Sequence, residues 1–174
     1  MNASAAQAAE QAFIGLGANL GDRGQSLAQA VQAIARLPGT QLAGLSSLYA
    51  SAPVDASGPD FLNAVAAVQT TLAPLDLLHA LQAIELQAGR ERPYRNAPRT
   101  LDLDVLLHGD LQLNTPELTL PHPRLWERAF VLLPLAELAP ALVTPAQLAA
   151  VAQQRIALQQ APQAWCPGML QAAR

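Results

Sequence analysis

The stretch Arg99-Thr-Leu-Asp-Leu-Asp-Val-Leu-Leu107 alternates apolar and acidic residues with a period of two. This period is typical of a β-strand, whose apolar side chains point to one face while Asp102 and Asp104 point to the other. Carboxylates two residues apart on a strand face lie about 6–7 Å apart and repel each other when both are ionised. Mg²⁺ relieves such repulsion, because it takes one or two carboxylates and completes its shell with water and phosphate oxygens. The alternative is that both aspartates face solvent, with Arg99 as a surface partner.

Composition limits the class of protein. The 174 residues suffice for one domain with a substantial core. The chain is 51% hydrophobic and 13% charged, and no run approaches the roughly 20 apolar residues of a membrane helix. The net charge of −3 argues against a nucleic-acid partner. The single cysteine excludes a disulfide framework within one chain and a multi-cysteine zinc site.

The N-terminal residues 1–10 contain no basic residue and no apolar run. We therefore expect a short mobile extension rather than a secretory signal, followed by one domain over residues 11–174. A cytoplasmic protein without a membrane partner is the expectation.

The basic residues are unevenly distributed. All ten are arginines, and six of them lie between Arg90 and Arg128. Arg90, Arg92, Arg95 and Arg99 lead directly into the acidic strand, and guanidinium groups bind phosphate in a bidentate manner. Because two prolines interrupt this segment, we expect an irregular, mobile cationic flap over a metal–phosphate site.

The remaining pattern predicts alternating strands and helices. Strands are expected over residues 12–17, 41–50 and 60–70, and helices over residues 27–37, 74–88 and 144–160, the last beginning with the capping box Thr144-Pro-Ala-Gln147 and ended by Ala161-Pro162. The run Gly15-Leu-Gly-Ala-Asn-Leu-Gly21 departs from the G-x-G-x-x-G fingerprint, and we interpret it mainly as a tight strand-to-helix turn. Asn63 in the middle of a strand needs a partner, either the backbone at a bulge or a polar heterocycle.

Several motifs together resemble the 6-hydroxymethyl-7,8-dihydropterin pyrophosphokinase family. In chain order they are Gly15-Leu-Gly-Ala-Asn-Leu-Gly21, Ser46-Ser-Leu-Tyr-Ala-Ser-Ala-Pro53, Phe61-Leu-Asn63, Ile84-Glu-Leu-Gln-Ala-Gly-Arg90, Pro98-Arg-Thr-Leu-Asp-Leu-Asp104, Pro121-His122 and Arg128-Ala-Phe130. The resemblance covers nearly everything from Phe13 to about Pro140. It implies a single α+β domain, with a ferredoxin-like antiparallel sheet and helices packed on it. It also implies transfer of pyrophosphate from ATP to 6-hydroxymethyl-7,8-dihydropterin, with release of AMP.

The same resemblance implies the site residues. Asp102 and Asp104 would bind two Mg²⁺ ions that hold the ATP phosphates. Asp104 is also a candidate base for the hydroxyl group, although a metal-bound carboxylate is a poor base. Arg90 and Arg92 match catalytic-loop arginines. The implied ATP-binding residues are Gln82, Glu85, Arg90, Arg92, Arg99, Val105, Thr119, His122 and Arg128. The implied pterin-binding residues are Ser51, Ala52, Val54, Phe61, Asn63, Asp102 and Phe130, with the two phenylalanines stacking on the ring.

Some features favour other interpretations. Taken alone, Gln82 and Glu85 predict a solvated helix face, and each phenylalanine predicts ordinary core packing. Phe61 stands where the family often has Tyr, and Asn96-Ala-Pro-Arg99 stands where it often has Trp-Gly-Pro-Arg, so closure of the loop differs while the reaction does not.

Two rival functions and the assembly state complete the expectations. One rival is another two-carboxylate nucleotidyl enzyme, such as a polymerase-palm, cyclase-like or nucleotide-sugar transferase domain, which does not need the aromatic pair and Asn63 together. The other is a non-catalytic nucleotide-sensing module, which binds ATP without turnover. We expect a monomer whose partners are small molecules.

Overall fold

The centre of the fold is the long strand β4 (Phe61–Thr70), which pairs with neighbours on both sides. The computed structural model describes residues 8–19, 22–52, 60–89 and 101–169. The other strands are β1 (Glu10–Ala18), β2 (Thr40–Leu45), β3 (Leu48–Ser51), β5 (Asp102–His108), β6 (Leu113–Asn114), β7 (Thr119–Leu120) and β8 (Ile156–Gln160). Glu10, which the sequence assigned to the extension, is thus the first residue of β1.

Six strands form one antiparallel sheet. Their order is β5-β1-β4-β3-β8, with β2 also paired to β4, while β6 and β7 form a separate two-stranded sheet. The order of β5, β1, β4 and the β2–β3 unit is that of a ferredoxin-like sheet. The predicted α+β fold is therefore confirmed.

Helices cover both faces of the sheet. Helices α1 (Arg23–Ala35) and α2 (Pro74–Gln87) lie on one face, where their leucines and isoleucines join the alternate residues of β1, β4 and β5 in one core. Helix α3 (Ala129–Leu138) lies on the other face, over Phe13 and Val65. Two short helices follow, α4 (Pro145–Ala150) and α5 (Pro162–Trp165). Among the described residues, no helix is long and apolar enough to cross a membrane.

Two predicted elements differ from the structure. The strand expected over residues 41–50 is broken at Ser46, because Ser46 Oγ replaces a main-chain acceptor for Val65 N at 2.8 Å. The last helix begins with its capping box as predicted, but it ends at Ala150, and residues 156–160 form β8 instead. A helix of six residues is marginal by itself, and the free edge of β3 offers this segment strand hydrogen bonds.

Candidate active site

The acidic edge of the site is the start of β5. Leu103 and Val105 are buried in the α1–α2 core, whereas Asp102 and Asp104 are half-exposed on the opposite face. In the sheet Asp102 lies beside Gly17 and Asp104 beside Gly15. Because directly paired residues of antiparallel strands share a face, both carboxylates lie on the face that carries α3. The predicted alternation is confirmed.

The outer edge of β5 is capped by two other segments. Glu85 of α2 is only 2% exposed, and its Oε2 accepts a hydrogen bond from Leu103 N at 3.0 Å, between the two aspartates. His122 N donates to Leu106 O at 2.9 Å further along the strand. The solvated face expected for Glu85 is therefore wrong, because its carboxylate satisfies a strand donor that a helix pattern does not reveal. Gln82, one turn earlier, is exposed.

Basic groups face the acidic edge. Burial lowers the pKa of the Arg128 guanidinium, and Arg124 lowers it further, while Asp104 and Asp102 oppose the shift. Burial also lowers the pKa of His122, with Arg128 acting in the same direction. The Nδ1 atom of His122 accepts from Arg124 N at 3.2 Å, so the proton of the neutral ring is on Nε2. The site thus combines a permanent cation with a histidine that favours its neutral form.

Glycines form the floor beside the carboxylates. Gly17 of β1 lies between Asp102 on β5 and Asn63 on β4. A Cβ added to Gly17 would meet Asn63 Oδ1 at 3.3 Å and Phe61 Cδ1 at 3.9 Å. The sequence analysis placed Gly15 and Gly17 in the first strand, as the structure has them, but it did not reveal that Gly17 lies next to Asn63.

Polar and aromatic residues occupy the adjoining part of the same face. Asn63 is buried, and its Nδ2 donates to Ser51 Oγ at 2.7 Å. Phe61 pairs with Ser51 across the strands and is half-buried, as is Phe130 in the first turn of α3. The guanidinium carbon of Arg128 lies 5.3 Å from the centre of the Phe130 ring. The hydrogen-bond partner of Asn63 is thus the Ser51 side chain. The alternative of a backbone partner at a bulge does not apply, because β1 and β4 pair regularly around Asn63.

The far end of α3 is tied to β3 by Glu137. Its Oε1 accepts from Ser47 N at 3.1 Å and from Ser47 Oγ at 2.9 Å, and its Oε2 accepts from the Tyr49 hydroxyl. Burial, followed by the hydrogen bond to Glu137, raises the pKa of Tyr49, so this hydroxyl remains a donor. Tyr49 is the cross-strand neighbour of Asn63, and the contact therefore fixes α3 relative to the polar part of the face.

The remaining residues predicted to bind ATP or pterin lie in other parts of the chain. Thr119 is half-buried in β7, and Ala52 is exposed at the end of β3. Val105 packs into the core on the opposite face, so its side chain points away from the two carboxylates. Four predicted residues lie outside the described residues: Val54, Arg90, Arg92 and Arg99.

The donor set suits Mg²⁺ better than a transition metal. Among the described residues there is no group of three or more His, Cys, Asp or Glu side chains able to hold a metal. Zinc needs such a group, whereas Mg²⁺ is usually bound by one or two carboxylates together with water and substrate phosphates. Two half-exposed carboxylates on one strand face fit that requirement.

A ferredoxin-like sheet that brings paired carboxylates and an arginine to one edge suits a metal-assisted enzyme that acts on phosphate groups. The model of the 7,8-dihydro-6-hydroxymethylpterin-pyrophosphokinase family matches residues 13–140. The chain belongs to this family. It is an ATP-dependent pyrophosphokinase of folate biosynthesis, which transfers pyrophosphate from ATP to the hydroxymethyldihydropterin.

Individual relatives agree with the family match. The chain is 51% identical over 137 residues to the 2-amino-4-hydroxy-6-hydroxymethyldihydropteridine pyrophosphokinase of Pseudomonas aeruginosa, covering 78% of this chain and 85% of the relative. It is 45% identical over 135 residues to the Haemophilus influenzae protein of the same name, covering 77% of this chain and 84% of that relative.

Solved structures show the same fold at low identity. A Plasmodium falciparum HPPK-DHPS triple mutant matches with a TM-score of 0.60 at 17% identity, over 76% of this chain. The match spans only 41% of that longer chain. This likeness supports the architecture alone.

Proposed function

We propose that the α3 face of the sheet binds both substrates side by side. Asp102 and Asp104 would hold two Mg²⁺ ions, which would supply positive charge for the triphosphate of ATP, and Phe61, Asn63 and Phe130 hold the pterin ring. The observation that carries the proposal is the cross-strand row in which Asp102, Gly17 and Asn63 are consecutive neighbours. Strands are about 4.8 Å apart, so the acidic edge and the buried amide are separated by about 10 Å. That distance suits a flat ring whose hydroxymethyl group reaches the phosphates.

The aromatic part of the site recognises the ring. A flat polar heterocycle is bound by stacking on its faces and by hydrogen bonds along its edge. Phe61 and Phe130 supply faces, and the buried Asn63–Ser51 pair supplies amide and hydroxyl groups already oriented by their mutual hydrogen bond. Ala52 and Val54 continue the edge-reading segment after β3. The rival two-carboxylate nucleotidyl enzyme does not require this combination.

The charged part of the site positions and neutralises the transferred group. The pterin hydroxymethyl oxygen forms a new bond to the β-phosphorus, the bond from that phosphorus to the oxygen shared with the α-phosphorus breaks, and AMP leaves with that oxygen. Bound Mg²⁺ would polarise the phosphoryl oxygens and neutralise their charge. Arg128 supplies a fixed positive charge beside both aspartates, and the geometry of the row brings nucleophile and phosphorus together. Asp104 is a candidate acceptor for the hydroxyl proton.

The arginines before β5 complete the proposal. Arg90 and Arg92 act on the phosphates during transfer, and Arg99 together with Gln82, Thr119 and His122 borders the nucleotide. Glu85 contributes by holding Leu103 between the two aspartates, and Val105 contributes through its backbone. An Arg92→Ala enzyme is expected to lose kcat with little change in the affinity for ATP. Equal losses in both would contradict a role confined to the transition state.

A product assay tests the function. AMP release from ATP is measured with and without the pterin alcohol, and the pterin product is analysed for an added pyrophosphoryl group. Release that depends on the alcohol supports the proposal. Free pyrophosphate as the product favours a nucleotidyl enzyme, and ATP binding without turnover favours a sensing module. Asp102→Asn and Asp104→Asn should reduce turnover far more than they weaken pterin binding. Asp110→Asn is the matched control, because Asp110 is an exposed carboxylate beyond the other end of β5.

We also propose that one chain forms a complete active site and works as a monomer in the cytoplasm, where ATP is supplied. All the described residues assigned to the two substrates come from a single sheet and its neighbouring segments. The catalytic domain extends over residues 11–174 together with Glu10, and residues 1–7 lie outside the described part. Light scattering coupled to gel filtration should give the mass of one chain, 18.3 kDa. A mass twice as large would contradict the monomer.

A further inference from the structure

We infer that Gln154 is a positioning residue for this reaction, acting through the junction at which α3 begins. Its side-chain amide bridges that junction. Gln154 Oε1 accepts from Ala129 N at 2.8 Å, and Gln154 Nε2 donates to Glu127 O at 2.7 Å. The two contacts therefore hold the backbone on both sides of Arg128. The inference rests on the proposed roles of Arg128 and Phe130.

The start of α3 needs this outside partner. The first N–H groups of a helix have no acceptor within the helix and are commonly satisfied by the side chain of the N-cap residue. In α3 the N-cap is Arg128, whose side chain makes no capping hydrogen bond and has no acceptor atom. Gln154, which is 25 residues away in the chain, supplies the acceptor for Ala129 N.

The interior of α3 increases the dependence on outside contacts. Pro134 lies within the helix, and proline has no N–H to donate to the carbonyl four residues earlier. That carbonyl belongs to Phe130. The turn that carries the ring therefore lacks one of its usual hydrogen bonds, and the contacts of Gln154 contribute more to its position than they would in an uninterrupted helix.

Small shifts at this junction matter for the site. Arg128 has an extended backbone, with φ −124° and ψ 119°, and its long side chain reaches the region of Asp102 and Asp104. A rotation about the junction moves both the guanidinium group and the Phe130 ring beneath it. Misplacement by about 1 Å is enough to reduce a rate by about 100-fold. Gln154 lies beyond residues 13–140, to which the family model is matched.

Kinetic constants of Gln154 variants test the inference. Gln154→Ala removes both contacts, and we expect kcat/KM to fall about fivefold or more for each substrate. Gln154→Glu retains an acceptor for Ala129 N but removes the donor to Glu127 O, so we expect a near-normal Tm with a reduced kcat/KM. This second variant keeps the test informative if Gln154→Ala folds poorly. Gln147→Ala is the matched control, because Gln147 Oε1 accepts from Thr144 N at 2.9 Å in α4, away from the site.

A double-variant cycle separates positioning from stability. If Gln154 acts through Arg128 and Phe130, then the fold-loss of kcat/KM caused by Gln154→Ala should be clearly smaller in an Arg128→Ala background than in the wild type. A lower Tm with unchanged kcat/KM per folded enzyme would overturn the inference, as would losses that multiply in the double variant. An Arg128→Ala enzyme with normal kinetics would instead refute the proposed role of Arg128, and the route through it.

Discussion

Replacing Gly17 by alanine tests whether the floor between the acidic edge and the polar pair contacts substrate. The added Cβ would lie 3.3 Å from Asn63 Oδ1, which is slightly closer than ordinary contact. The Asn63 amide must therefore move by a few tenths of an ångström, although its Nδ2 is bonded to Ser51 at 2.7 Å. Weakening of that bond costs about 0.5–1.5 kcal/mol, and alanine in a strand recovers about 0.5–1 kcal/mol relative to glycine.

The cost of the weakened hydrogen bond and the gain from replacing glycine nearly cancel in the free energy of unfolding. The loss of pterin binding has no such compensation. We expect the free energy of unfolding of Gly17→Ala to stay within about 1 kcal/mol of the wild-type value. The pterin ring loses a correctly placed hydrogen bond with the Asn63 amide and meets the methyl group added at position 17. Its Kd should therefore rise about 3- to 10-fold, which corresponds to about 0.5–1.5 kcal/mol of lost interaction.

Calorimetric titration of pterin in the presence of a non-hydrolysable ATP analogue measures this effect. Gly44→Ala is the control, because its added Cβ would meet Leu138 Cδ2 at the same 3.3 Å but away from the proposed substrates. The control should bind pterin like the wild type. An unchanged pterin Kd for Gly17→Ala would refute the placement of the ring over this floor.

Three further predictions concern stability and reactivity. Glu85→Ala leaves the buried Leu103 N–H unpaired and opens a cavity, so urea unfolding should show a free energy of unfolding lower by about 2–4 kcal/mol. Gln82→Ala is the control, because the Gln82 side chain is exposed and its loss should change stability by less than about 0.5 kcal/mol. The folded-state pKa of His122 lies below its ordinary 6.5, so the unfolded state binds more protons and the free energy of unfolding should fall as the pH drops below 6.5. His122→Asn should make the free energy of unfolding depend less steeply on pH in this range. An identical pH dependence would contradict the shift. Burial raises the pKa of the Cys166 thiol, so its reaction with a disulfide reagent at pH 8 should be about 100-fold slower than in urea; comparable rates would show that the thiol is accessible.

The period of the apolar residues explains why part of the site could be predicted from the sequence. Alternation over Leu101–Val105 determines which face of β5 carries the carboxylates, because side chains of a strand alternate whatever its neighbours are. The same argument placed Phe61 and Asn63 on one face of β4. These two faces lie side by side because β1 pairs with both β4 and β5. That pairing could be expected only from the fold that the family resemblance implies.

Long-range contacts explain what the sequence did not reveal. The burial of Glu85 depends on the free edge of β5, and the spacing of residues in α2 contains no information about that edge. Residues 156–160 continue a helical pattern locally, yet the open edge of β3 makes them a strand. Gln154 contacts a helix that begins 25 residues earlier. In each case the partner is remote in sequence, so local propensity could not identify it.

A crystal structure of the enzyme with Mg²⁺, a non-hydrolysable ATP analogue and the pterin alcohol tests the central claim most directly. We expect both Asp102 and Asp104 to coordinate metal that bridges to the phosphate oxygens, with the pterin between Phe61 and Phe130 and its hydroxymethyl oxygen directed at the β-phosphorus. Metal bound to the phosphates without either aspartate, or a pterin bound away from the row of Asp102, Gly17 and Asn63, would contradict the account.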